Sequence, residues 1–195
     1  MRWDNLFDDL ESQLEQELRA EDVDRAAEEE RLRIGRLTIR DRLLALSTAD
    51  PDAPIALILR DGTTASVAPS TVGRDWLSGD LRDGSAGQQV IVPFGALAGV
   101  HLPTARLASS LGRDTPQRGP GISDRIGVTF VLRDLARRRS SVAISTVQGI
   151  VTGTIDRVGR DHLDLAVHER DLPRRDSNVT SSRIVVLDQV LMVRL

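Results

Sequence analysis

The residues to ask first for chemistry are three histidines, His101, His162 and His168. His162 and His168 lie six positions apart. That spacing places two imidazoles on one metal neither along a helix nor across one hairpin, and no carboxylate pattern nearby completes a ligand set. All three read as surface or loop residues. His162 takes the place of a tryptophan in a repeated hexapeptide described below, so it also reads as a packing position. Asp75 and Asp161 stand at matched places in that repeat. Paired carboxylates can do acid/base work, but an Asp after Gly-Arg in a turn more simply accepts local backbone N–H groups. Cysteine is absent, which excludes thiolate nucleophiles, thiolate metal sites and disulfides. Lysine is absent too: all 26 basic residues are arginine, a bias that GC-rich coding explains at every position at once. A Walker-type loop and a Ser-x-x-Lys site are therefore impossible, and no Gly-x-Ser-x-Gly elbow occurs. Gly84-Ser85-Ala86-Gly87 and Gly119-Pro120-Gly121 lack the strand and helix that flank a phosphate cradle. The expectation is a protein without catalysis, metal or cofactor.

Binding is the remaining chemistry. Arg137-Arg138-Arg139 closes a helical pattern, where cations also suit the dipole, and Arg174-Arg175 lies in a polar loop. If the two clusters converge they form a phosphate-binding patch; apart, they are solvated charge. Residues 1–30 carry 12 acids against Arg2, Arg19 and Arg25, which leaves 23 arginines against 17 acids in the rest. An acidic arm thus precedes a mildly basic body. Its acidity argues against anionic membranes. No apolar run approaches the ~20 residues of a membrane span, and Met1-Arg2-Trp3-Asp4 does not open a secretory signal. A cytoplasmic protein is expected.

The elements that would position these residues follow from periodicity. Residues 3 to about 33 predict a helix, with Leu6, Leu10, Leu14 and Leu18 four apart, Trp3 and Phe7 beside them, and Glu15/Arg19, Glu21/Arg25 and Glu29/Arg33 as i,i+4 pairs. Trp3, Phe7, Leu10 and Leu14 are the candidate partner-binding residues. Thr38 to Asp41 could open a short second helix as a capping box. Strands are predicted at 55–59, 63–68, 76–81 and 88–93, with Asp61-Gly62 as a tight turn. Residues 103–123 are rich in Pro, Gly, Ser and Arg and read as a linker. Ser123 could cap a further helix reaching Arg139, and strands resume from Val142, broken by a polar loop at about 168–182.

The two strand regions look like copies. Val72-Gly73-Arg74-Asp75-Trp76-Leu77 matches Val158-Gly159-Arg160-Asp161-His162-Leu163 at all but one position. Each match follows a glycine turn (Gly62, Gly149) at nearly the same distance. Each copy closes alike, Val92 to Leu102 against Val185 to Leu195. The shared order of features argues for duplication.

Gly149 to Leu165, with Gly153 in a bent strand, resembles the first sequence block of Sm-like barrels, and Ile184 to Val193 resembles the strand–turn–strand that closes them. The second copy is similar to the C-terminal domain of bacterial ribosome maturation factors. The whole chain resembles a family from high-GC bacteria with tandem Sm-like/SH3-like barrels. The resemblance covers about residues 37–102 and 124–195, and the RNA-contacting signatures of true Sm proteins are absent.

It implies a mainly β fold with flanking helices: two tandem Sm-like/SH3-like five-stranded barrels behind a long N-terminal helix. The expected divisions are 1–35 acidic helix, 36–102 first barrel, 103–122 linker and 123–195 second barrel. The barrels are expected side by side, sharing apolar surface or a strand edge, with linker and loop 168–182 over the outer edges. The function expected is a non-catalytic interaction or regulatory adaptor whose acidic helix docks an unknown protein or pairs with itself. The alternative is an RNA- or ribosome-associated factor using Arg137, Arg138, Arg139, Arg174 and Arg175.

Overall fold

The computed structural model describes residues 4–82, 87–112 and 121–195. Contacts divide the chain into two units, Met1–Thr38 and Ile39–Leu195.

The first unit is one helix, α1 (Asp4–Arg36). Its ion pairs Arg25–Asp22, Arg31–Glu28 and Arg33–Glu30 close at i,i+3. Leu18, Val23, Leu32 and Ile34 are exposed. Trp3 lies outside the described residues, and of Phe7, Leu10 and Leu14 only the helical backbone is described.

The second unit is mainly β. After α2 (Ile39–Ala49) come β1 (Ile55–Leu59), β2 (Thr64–Val72), β3 (Trp76–Leu81), β4 (Gln89–Pro93) and β5 (Leu97–His101). Then follow α3 (Thr104–Ser109), α4 (Val128–Arg137), β6 (Ser141–Thr146), β7 (Gly149–Val158), β8 (His162–Val167), β9 (Ser181–Val186) and β10 (Val190–Arg194). The ten strands form one open antiparallel sheet, in the order β5-β1-β2-β3-β4-β10-β6-β7-β8-β9.

The strand order repeats between the two halves. The first half runs β5-β1-β2-β3-β4 and the second β10-β6-β7-β8-β9, so each strand has a counterpart with the same neighbours. Registers coincide residue by residue. Trp76 faces Pro93 and Leu77 faces Val92, as His162 faces Val186 and Leu163 faces Val185. Val67 faces Leu81, and a register shift follows between Pro69 and Thr71; Gly153 faces Val167, with the same shift between Ile155 and Arg157. A bulge strengthens local bending and twist. Where two strands cross closely a side chain has no room. A Cβ on Gly79 would lie 2.0 Å from the carbonyl oxygen of Ala68, and one on Gly153 2.0 Å from that of Ala166. Each half thus sets a glycine against a backbone carbonyl of the paired strand, on β3 in the first and on β7 in the second.

Each half closes its own core. Leu43 and Leu46 of α2 cover Leu57, Val67, Leu77, Val90 and Val92, while Leu132 and Leu135 of α4 cover Ile144, Ile155, Leu163, Leu165 and Val185. The cores are stitched at the seam where β4 pairs with β10, Ile91 opposite Val193 and Val90 opposite Arg194. There Leu191 and Met192 enter the first core, and Trp76 and Ile91 enter the second.

Four local expectations need correction. β2 runs on to Val72 instead of stopping at 68. It passes Pro69 because β1 pairs with it only as far as Val67, so on that side no partner needs the missing N–H. Residues 104–109, expected in the linker, form α3, which carries Ser110 to the guanidinium of Arg42 (Oγ to Nη2, 2.6 Å). Ser123 does not cap α4; it starts a separate 3-10 turn, and the helix begins at Val128 behind Gly127. Loop 168–180 leaves the outer strand open: of β9 only Val185 is buried.

Candidate functional site

The repeated turn before β3 and β8 holds the same architecture twice and meets different neighbours. Its backbone closes identically, Gly73 N–H to Trp76 O and Gly159 N–H to His162 O, both 2.8 Å. The ring of Trp76 lies over Gly73 and that of His162 over Gly159, where any Cβ would collide.

In the first half the segment before α4 covers the turn. The indole N–H of Trp76 donates to Ile126 O at 2.9 Å, and Arg74 N–H donates to the same carbonyl at 3.1 Å. The Asp75 carboxylate accepts the Val128 N–H at 2.7 Å, supplying the acceptor that Gly127 cannot at the start of α4. The side chain of Asp75 therefore binds a distant helix end and not the local backbone expected of it. Arg40 adds bonds to Gly73 O (2.9 Å) and Asp124 (2.5 Å).

In the second half no segment covers the turn among the described residues. Trp76 is 7% exposed, whereas the side chain of His162 is 46% exposed. His162 Nδ1 bonds the Asp161 carboxylate at 2.8 Å, and that bond holds the Asp161 carboxyl below the ordinary carboxylate range. Among the described residues no hydroxyl is bonded to His162.

His168 corrects the expectation of a surface residue. It is buried, with Nδ1–H donating to Glu169 O at 2.7 Å. In the neutral ring Nε2 is then the acceptor for the Thr154 hydroxyl, at 2.8 Å. Its counterpart in the first half, Arg82, is exposed, so no repeat signal marked it. His101 is exposed on β5. Among the described residues no three His, Asp or Glu side chains are grouped to hold a metal.

The basic clusters meet, but through an acid. Arg174 forks onto Asp156 at 2.7 and 2.8 Å, and Arg139 reaches the same carboxylate at 2.7 Å. The Arg174 hydrogen bond, with the Coulombic pull of both guanidiniums, holds the Asp156 carboxyl below its usual range. Arg137 and Arg138 both pair with Asp134 (2.6 Å each). Arg175 is exposed with no ion pair among the described residues. Much of this arginine charge is thus already answered within the fold.

Sequence reasoning missed the outer edge of the second half. Ile184 and Val186 stand exposed on β9, with Ile150 and Val147 exposed on the β6–β7 hairpin. The signal was present: Ile184-Val185-Val186 copies Ile91-Val92-Pro93, and β4 is buried on both faces.

No family model matches the chain, and no curated protein or solved structure matches it either. Among the described residues no helix is long and apolar enough to cross a membrane.

Proposed function

We propose that each five-strand set is a small Sm-like/SH3-like barrel, and that the chain is a non-catalytic interaction or regulatory adaptor in which α1 docks a protein partner. Support for the barrels is the shared strand order, the shared bulge, a glycine in each half set against a backbone carbonyl of the paired strand, and a core in each half. The observation that carries the adaptor reading is α1 itself. It is a 33-residue helix forming its own unit, with Leu18, Val23 and Leu32 exposed. A helix this long and acidic gains little from propensity alone and finds its stabilisation in a packed apolar face. Trp3, Phe7, Leu10 and Leu14 supply that face in the sequence.

The full chain and a Leu10→Asp/Leu14→Asp variant, each used as bait with and without nuclease, test the reading. A protein retained after nuclease and lost with the variant supports it. Retention by the variant, or loss on nuclease treatment, overturns it.

One observation favours the RNA-associated reading: Arg139 and Arg174 converge on Asp156, so the two arginine clusters share a surface. Binding through them would weaken steeply with salt as counterions are released. Salt-independent binding, or binding unchanged by Arg138→Ala/Arg175→Ala, would count against it.

A further inference from the structure

The seam between the halves is heterologous: the edge of one half, β4, takes the opposite edge of the other, β10. Because the halves are copies, the chain carries the same two edges again at the ends of its sheet. β9 is the counterpart of β4, and β5 the counterpart of β10. Each is an end strand paired on one side only.

The side chains agree with the backbone. Ile91, in the seam, is 3% exposed; Ile184, at the same register position on β9, is 70% exposed. Val186, the counterpart of seam-lining Pro93, is exposed as well. On the other end, the seam groove is lined by Val128, Leu132 and Val193 with Asp75 and Pro93. The counterparts of the first three, Ile39, Leu43 and Val100, line an open groove beside β5 together with Leu107. Ile39 and Leu107 are exposed there. Ile184 and Val186 at one end of the sheet, and Ile39 and Leu107 at the other, are thus exposed apolar groups at the places the seam occupies between the halves, with Leu43 buried at the base of the β5 groove.

We propose that the chain assembles head to tail with further copies of itself. β9 of one copy pairs antiparallel with β5 of the next in the register of the seam, Ile184 opposite Val100 and Arg183 opposite His101. The exposed turn at Asp161 and His162 then faces the start of the neighbour's α2, as Asp75 and Trp76 face the start of α4. The occupant is a second copy because the chain already contains this joint once, and each free edge matches the half of the joint it would need. An unpaired strand edge is a template for such pairing, and a heterologous joint repeats until it closes a ring or runs on as a filament. The inference is independent of what α1 binds.

Size-exclusion chromatography with light scattering tests it on the full chain and two single-site variants. Ile184→Asp places a charge on the exposed face of β9. Ile39→Asp places one in the β5 groove, at a helix start where acids are tolerated. Circular dichroism and melting establish that each variant is folded, and Ile184→Lys replaces Ile184→Asp if the latter is not. The expected result is a wild-type mass at a multiple of 21.4 kDa, each variant alone at the monomer mass, and an equimolar mixture giving a 1:1 dimer through its one intact pair of edges. A monomeric wild type at high micromolar concentration, an oligomer that survives Ile184→Asp, or a mixture that stays monomeric would each overturn the proposal. Survival in that variant would place self-association on α1 instead.

Discussion

The two halves of the sheet have the same strand order and register, yet their turns have different physical histories. Trp76 is enclosed because a later stretch of the same chain lies on it; His162, its counterpart, faces outward. Residue type follows the neighbour and not the fold. Where a joint exists, the turn carries a large ring with an N–H aimed at a carbonyl; where none exists, it carries a small polar ring paired with its own neighbour, Asp161.

The comparison breaks most visibly at these two rings. Trp76→Ala should lower unfolding free energy by about 3–5 kcal/mol, since it empties a buried site at the seam, whereas His162→Ala should stay within about 0.5 kcal/mol. Urea denaturation of both variants is the check, and equal losses would show that the turns are energetically alike.

Next come the crowded glycines. Gly79→Ala and Gly153→Ala should each cost about 1–3 kcal/mol or more, because the added carbon meets a backbone carbonyl that cannot rotate away. Thermal melts of the pair should show similar losses although the glycines lie on different strands. A tolerated substitution in one half alone would show that its sheet bends less tightly.

A smaller contrast is expected at the aspartates. Asp75→Ala removes the acceptor at the start of α4 and should cost about 0.5–2 kcal/mol, while Asp161→Ala should fall below about 0.5 kcal/mol. Hydrogen exchange at the Val128 amide reads the first effect directly.

The smallest effect concerns the matched bulges, where Ser70 in one half corresponds to Asp156 in the other. Arg174 holds the folded-state carboxyl of Asp156 below its unfolded value. Its contribution is thus complete above the unfolded value, roughly 4, and is lost as pH falls through the lowered folded value. Asp156→Ser should flatten the acid side of the stability–pH curve and leave stability between neutral and mildly alkaline pH parallel to wild type. An unchanged acid limb would remove the Arg174–Asp156 pair from the account.

Much of the half-sheet pattern was legible in the sequence, because short strands and turns are local. β1 and β3 fall on the segments that alternation and turn residues define. The matched hexapeptides fall on matched turns. The extension of β2 past Pro69 was not legible, because it depends on where a neighbouring strand stops. Nor was α3, whose six residues sit in a stretch whose composition reads as linker. The candidate site divided the same way. Asp75 and Asp161 were recognised as a pair, but the bond from Asp75 to Val128 spans 53 positions and leaves no periodic trace. The burial of His168 depends on its pairing with Thr154 across a strand pair, which a lone histidine does not announce.

The position of β10 has a consequence for how the protein is made. It is the last of the described strands in sequence, yet it lies between β4 and β6 in the middle of the sheet and supplies residues to both cores. During synthesis the first half emerges with Val90, Ile91 and Val92 of β4 unpaired, and must wait for residues 190–194 before that edge is covered. A nascent apolar edge of this kind is prone to pair with the wrong chain. The interval between translation of β4 and of β10 is therefore the stage at which a ribosome-bound chaperone would have most to protect.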